Sequence, residues 1–189
     1  DQKKFYKKIL KEPQGLYSPD VRHVFKDKKN RIWASTITGI YVFDGIDKQI
    51  GSFWNGYNGL TGGISQSISQ DENGIIWLGQ DNAGLLKFNE NHQNFSRSKF
   101  VNHNYYPDND TNLYNHNINA IQPDNKGHLW ILNVSGILTK YNIKDESSKI
   151  YSKSKYLKDI KVTSILLENS SNLWLGSKSG LHHYNVDAD

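Results

Sequence analysis

The chain is expected to fold as an all-β propeller of four-stranded antiparallel blades, with four repeat units in 189 residues. Three observations carry that expectation. A tryptophan-centred pattern recurs four times. Each copy divides into short apolar bursts separated by turn residues, and no apolar stripe of helical period is sustained.

The copies are VRHVFKDKKNRIWASTITGIYVFD (21–44), SQSISQDENGIIWLGQDNAGLLKFN (65–89), INAIQPDNKGHLWILNVSGILTKYN (118–142) and VTSILLENSSNLWLGSKSGLHHYN (162–185). Their tryptophans, Trp33, Trp77, Trp130 and Trp174, are 44, 53 and 44 residues apart. In each, the first burst (VRHVF in the first copy) reads as the innermost strand A, with Val24, Ile68, Ile121 or Ile165 at its centre. An acidic residue follows at Asp27, Asp71, Asp124 or Glu168, opening an A–B turn that Gly74 and Gly127 fit through positive φ. Strand B carries the tryptophan, expected on a face buried between blades. Gly39, Gly84, Gly136 and Gly180 close the B–C turn, and strand C ends on an aromatic residue. A variable segment such as IGSFW supplies the outer strand D.

One twisted sheet cannot bury both faces alone, so such units stack on neighbours. The repeat units run approximately 1–44, 45–89, 90–142 and 143–189, as a single propeller (sub)domain. The sequence leaves three closures open: a partial propeller, a four-blade ring, or half of an oligomeric ring. In the ring, the D-like segment KKFYKKIL near the N-terminus would complete the last blade.

Composition narrows the function. Aromatic residues are 12% of the chain, which argues against disorder, and no apolar run is long enough to span a bilayer as a helix. With no cysteine, disulfides and thiolate metal sites are excluded. The chain also lacks methionine, so it reads as a processed chain or fragment, and a missing signal peptide says nothing about export. Lysine clusters at 3–11 and 153–161 accompany a net charge of +4. They suit acidic glycans or nucleic acid, but the plainer reading is a solvated edge that resists aggregation. No nucleic-acid partner is expected.

Through Asp71, Gly74, Ile76, Trp77, Leu78, Gly79, Gly84, Leu85, Phe88 and Asn89, the second copy resembles the two-component regulator propeller repeat. The fourth keeps Leu173 to Gly176, Gly180, Leu181, Tyr184 and Asn185, but has Glu168 and Ser171 where the second has Asp and Gly. The first has Asn30 and Ser35 in place of two glycines, and the third has Leu132 at the second of these positions. That resemblance implies the periplasmic ligand-sensing part of a hybrid two-component system, of the kind found in Bacteroidetes. It implies an oligosaccharide ligand and, elsewhere in the parent protein, further blades, a sandwich domain, a membrane span and a kinase. On this reading the chain is not itself an enzyme and needs no cofactor or metal.

Sites are sought where the repeat breaks, because variable loops on a rigid scaffold are where binding resides. The D–A and B–C connections share one face. There, WNGYNGLTGG (54–63) offers Trp54 and Tyr57, and VNHNYYPDNDTNLYNHN (101–117) offers Tyr105, Tyr106, Tyr114, Asp108 and Asp110. Rings flanked by amides and carboxylates suit sugars, although such rings also pin loops to a blade. Arg22 and His23, with Gln66, Asn119 and Thr163, are candidates to line the channel, and Arg22 would suit an anionic sugar. The tip Gln80–Asn82 is a minor candidate. DNDTN (108–112) fails as a calcium loop, with Leu113 and Asn119 where glycine and glutamate are needed. Two other readings remain: a protein-interaction or self-assembly scaffold, and a propeller lyase needing His23, His103 and His116 together.

Overall fold

The computed structural model describes residues 20–45, 48–61, 63–103, 117–152 and 154–188. Fifteen strands form four antiparallel sheets in chain order. The first contains β1 (Val21–Lys26), β2 (Arg31–Thr36), β3 (Gly39–Asp44) and β4 (Lys48–Trp54). The second contains β5 (Ser65–Gln70), β6 (Ile76–Gln80), β7 (Gly84–Asn89) and β8 (Lys99–Asn102). The third contains β9 (Ile118–Pro123), β10 (His128–Asn133), β11 (Leu138–Asn142) and β12 (Ser148–Ile150). The fourth has three described strands, β13 (Val162–Leu167), β14 (Asn172–Ser177) and β15 (Gly180–Asn185). IGSFW is the outer strand, as expected, because β4 pairs only with β3. The N-terminal D-like segment lies outside the described residues.

The A–B turns follow one recipe with local substitutions. Asp27 and Asp71 each accept the indole N–H of their tryptophan at 2.9 Å and a backbone N–H across the turn at 2.9 Å. Asn30 (φ 63°) takes the left-handed place that Gly74 (φ 82°) and Gly127 (φ 84°) occupy elsewhere. Asp124 also caps its turn, but it turns its second oxygen to His128 (3.0 Å) and Lys140 (3.4 Å), leaving the Trp130 indole N–H unpartnered. In the fourth turn, Glu168 pairs with His183 at 2.7 Å. The capping passes instead to Asn169, whose side-chain oxygen accepts from the Ser171 and Asn172 N–H groups.

The core lies between sheets, not within them. Trp33, Trp77 and Trp130 each point towards the following sheet. Trp33 packs with Ile68, Ile76, Leu78, Leu86 and Phe88. Trp77 meets Ile118, Ile121, Leu129, Ile131 and Tyr141, and Trp130 meets Ile165, Leu173, Leu175 and Tyr184. These three rings have no exposed surface, and burying a large apolar side chain contributes about 1.5–3 kcal/mol. Gly79 helps the sheets approach, since a Cβ there would meet Ile118 Cγ2 at 2.5 Å. Trp174 departs from the pattern. It is half-buried on a face that also exposes Leu166 (59%) and Leu181 (71%).

A cation lies over each of the three buried rings. Arg31 is 5.5 Å from the Trp33 centroid, Lys87 is 5.9 Å from Trp77 and Lys140 is 5.3 Å from Trp130. His183 takes this place over Trp174, with ring centroids 4.5 Å apart.

Candidate ligand-binding face

Each inner strand carries a bulge at the same repeat position. Register slips between Val21 and His23, between Ser65 and Ser67, and between Val162 and Ser164, with the matching slip opposite Leu132 and Asn133. The extra residues are therefore Arg22, Gln66, Asn119 and Thr163. A bulge breaks alternation and re-aims its side chain, so these four leave the regular alternation of their strands at the end nearest the D–A and B–C connections, the mouth of that face. Arg22 pairs with Asp20 at 2.6 Å with both side chains exposed, an arrangement that stabilises by about 0–1 kcal/mol. Gln66 reaches Asp81 at 3.4 Å, Asn119 donates to the Thr163 carbonyl at 3.3 Å, and Thr163 Oγ1 donates to the Gly176 carbonyl at 3.1 Å.

Below the mouth, the inner strands form an open cavity of about 570 Å³ whose lining includes His23, Gln66, Ser69, Asn119, Gln122 and Asp124. Side chains stitch its walls. Burial holds the His23 imidazole below its usual pKa, and a hydrogen bond to the Ile68 backbone opposes that shift only in part. Ser67 Oγ accepts the Ile121 N–H at 3.0 Å. Gln122 acts as a peptide surrogate, donating to the Ile165 carbonyl at 3.2 Å and accepting the Leu167 N–H at 2.7 Å. The buried Ser69 hydroxyl has no partner. The result is a slot of mixed lining, in which amides and hydroxyls alternate with apolar side chains such as Val24, Phe25, Ile68, Ile121 and Leu167.

The D–A connection from β4 to β5 rises beside this mouth. Asn55 ties it to the first B–C turn through the Thr38 and Ile37 carbonyls, at 2.9 and 3.0 Å. Leu60 (3% exposed) anchors it in the core. At Gly59 (φ 81°) the backbone crosses the Phe100 carbonyl so closely that a Cβ would overlap it. The glycines of WNGYNGLTGG thus include one demanded by packing. Tyr57 is left at the tip, 69% exposed. Trp54 is half-buried and stacks edge-on against Tyr41 at 5.1 Å, so its ring is shared with the blade.

Gln80 does not belong to the exposed tip suggested by the sequence. It is fully buried, accepting from the Thr61 N–H and hydroxyl and donating to the Gly63 carbonyl and Asn55 Oδ1. Such a hub is invisible in a one-dimensional pattern, because its partners lie 17–25 residues upstream.

Tyr105, Tyr106, Tyr114, Asp108, Asp110 and His116 lie outside the described residues. His103, just before them, packs edge-on against Trp77 (5.0 Å) and Tyr141 (5.7 Å). Burial lowers its pKa, Glu146 opposes the shift, and Lys87 reinforces it. His103 follows the outer strand β8, whereas His23 lies on the inner strand β1, so the structure does not bring these two histidines into one site. Among the described residues, no group of three or more His, Asp or Glu side chains is placed to hold a metal ion.

The chain has the β-propeller fold. Across 94% of its length it superimposes on the extracellular domain of the hybrid two-component system BT3049 from B. thetaiotaomicron, with a TM-score of 0.66 and 20% identity. The extracellular domain of the hybrid two-component system BT4673 from the same organism matches 89% of the chain, with a TM-score of 0.68 and 19% identity. The β-propeller domain of Myceliophteria thermophila Cps50 matches 92%, with a TM-score of 0.58 and 13% identity, over 54% of its own chain. The propeller chain spans about a quarter of the two Bacteroides domains, 24% and 23% of their respective lengths. No protein-family model and no curated protein matches the sequence.

Proposed function

We propose that this propeller segment is part of an extracytoplasmic ligand sensor of the two-component type, and that its D–A/B–C face binds an oligosaccharide. The observation that carries the reading is the match to two extracellular sensor domains along nearly the whole chain. All four bulge residues also lie at the same end of their inner strands, the end that the D–A connections enter. Tyr57 supplies an exposed ring for an apolar sugar face, with Trp54 beside it. Arg22 and the amides of Gln66 and Asn119 supply hydroxyl or carboxylate partners. Tyr105, Tyr106, Tyr114, Asp108 and Asp110 complete the proposed set from the loop after β8, and His23 faces the channel below. Signal output would come from other domains of a parent protein, and further blades would cover the face of Trp174.

Calorimetric titration against a panel of oligosaccharides tests this. Binding should be weakened roughly tenfold by Tyr57→Ala or Arg22→Ala, since a charge-assisted hydrogen bond contributes about 1.5–3 kcal/mol. Unchanged affinity in both variants would remove these residues from the site. The open apolar face of Trp174, Leu166 and Leu181 favours a second reading, an assembly scaffold. Light scattering over a concentration series detects that association directly.

A further inference from the structure

The cations of the two propeller faces are used differently. On the A–B/C–D face several are engaged. Lys28 donates to the Asp71 and Glu72 carbonyls, Lys29 and Arg31 bind Glu90, and Lys126 donates to Ser170. On the opposite face, the connection from β12 to β13 folds into a knuckle of consecutive turns. Leu157 and Lys158 N–H groups bond to the Ser154 carbonyl, and the Ile160 N–H bonds to the Leu157 carbonyl. Tyr151 and Leu157, both buried, root the knuckle in the core between the third and fourth sheets.

That rooting turns Lys155, Tyr156 and Lys158 outward, with Tyr156 51% exposed and the Lys155 ammonium 4.8 Å from its ring. Lys161 lies along the third B–C turn at Gly136, two residues before the Thr163 bulge, and Lys178 projects from the fourth B–C turn. None of these four lysines forms an ion pair with a described residue, and Asp159 is the acidic residue within the knuckle. The lysines are therefore exposed on the D–A/B–C face, where the knuckle backbone is rooted in the core, without ion-pair partners among the described residues.

We infer that this knuckle is a subsite for the acidic groups of an anionic glycan, with Tyr156 stacking on a sugar ring and Lys155, Lys158, Lys161 and Lys178 meeting its carboxylates or sulfates. The inference rests on the oligosaccharide reading and gives that ligand a charge. A glycan fits better than a nucleic acid because the basic surface is a short patch with one exposed ring instead of a row of stacking platforms. The sequence alone reads the same lysines as a solvated edge. What changes that reading is their placement beside Thr163 and the engagement of several counterparts on the other face.

The test is titration with short oligogalacturonates and chondroitin sulfate oligosaccharides, set against neutral malto-oligosaccharides, single-stranded DNA and anionic phosphatidylglycerol vesicles. At least one acidic oligosaccharide should bind more tightly than the neutral series, with affinity falling as salt rises. The double variant Lys155→Ala/Lys158→Ala should lose about fivefold for it, because each exposed charge contact contributes about 0.2–1 kcal/mol. Lys155→Arg/Lys158→Arg should restore binding. Failure of both acidic families to bind, or indifference to the double variant, overturns the subsite. Equal or tighter binding of DNA or vesicles with the same lysine dependence also overturns it. If neutral oligosaccharides still bind and depend on Tyr57, the sensor reading stands while the subsite falls.

Discussion

Trp77 and Trp174 occupy the same place in two copies of one repeat, yet their surroundings differ. Around Trp77, the indole N–H is held by Asp71, Lys87 covers the ring, and the third sheet seals the face. Trp174 has His183 over its ring, but the acidic residue of its turn pairs with that histidine, and Leu166 and Leu181 beside it are exposed. The difference teaches that the repeat encodes half an interface. The other half is the aliphatic pair on strand B and the aromatic end of strand C in the blade that follows.

The largest expected effect sharpens this directly. Trp77→Ala should destabilise by about 3–5 kcal/mol through lost burial and an unfilled cavity, whereas Trp174→Ala should cost about 1 kcal/mol or less in this chain. Chemical denaturation of both variants measures the contrast, and equal losses would break it.

Next come the turn carboxylates. Burial by itself would raise the Asp27 pKa, but hydrogen bonds from Trp33 and Arg31 outweigh that and hold it below the usual range. Asp27→Ala should cost about 1–3 kcal/mol because buried donors lose their acceptor, while Glu168→Ala should change stability by roughly 0.5 kcal/mol or less. The depressed Asp27 pKa makes its contribution full above the unfolded value near 3.8 and lost as pH falls through the lower folded value.

Histidine gives a smaller, separable effect. His23 and His103 both have folded pKa values below the ordinary imidazole value of 6.5, chiefly through burial. The unfolded chain therefore takes up protons first, and stability should be full above pH 6.5 and decline as pH falls through the folded values. Thermal midpoints measured on either side of this window should fall on acidification, and His103→Gln should flatten the decline. The smallest effect is expected at Tyr57→Ala, within about 0.5 kcal/mol of the parent stability, since its ring is mostly exposed.

Strand order and the turn at Asp71 were legible because each depends on neighbours within one repeat, and the buried rings of the first three blades because the repeat that covers each of them follows in the sequence. Periodicity also separated scaffold from loop, and so located the face on which Tyr57 and Arg22 stand. Three features were hidden because they depend on contacts across repeats or on a shift of one residue. Asn169 replaces Glu168 as the cap although Glu168 holds the aligned position. The bulges that re-aim Arg22, Gln66, Asn119 and Thr163 leave no mark on composition. The knuckle at 154–160 reads as a continuation of an outer strand until Tyr151 and Leu157 are seen to root in the core.

Gln80 has a consequence for the thermodynamics of recognition. By binding Thr61, Gly63 and Asn55 at once, it fixes the loop bearing Tyr57 while the protein folds. On the proposed reading, a ligand arriving at that ring would have little conformational entropy to remove from the loop, so more of the contact energy would remain as affinity. Gln80→Leu would shift that ordering from folding to binding. Tyr57 would keep its chemistry but lose its preorganisation, and the deficit would appear as a more unfavourable binding entropy.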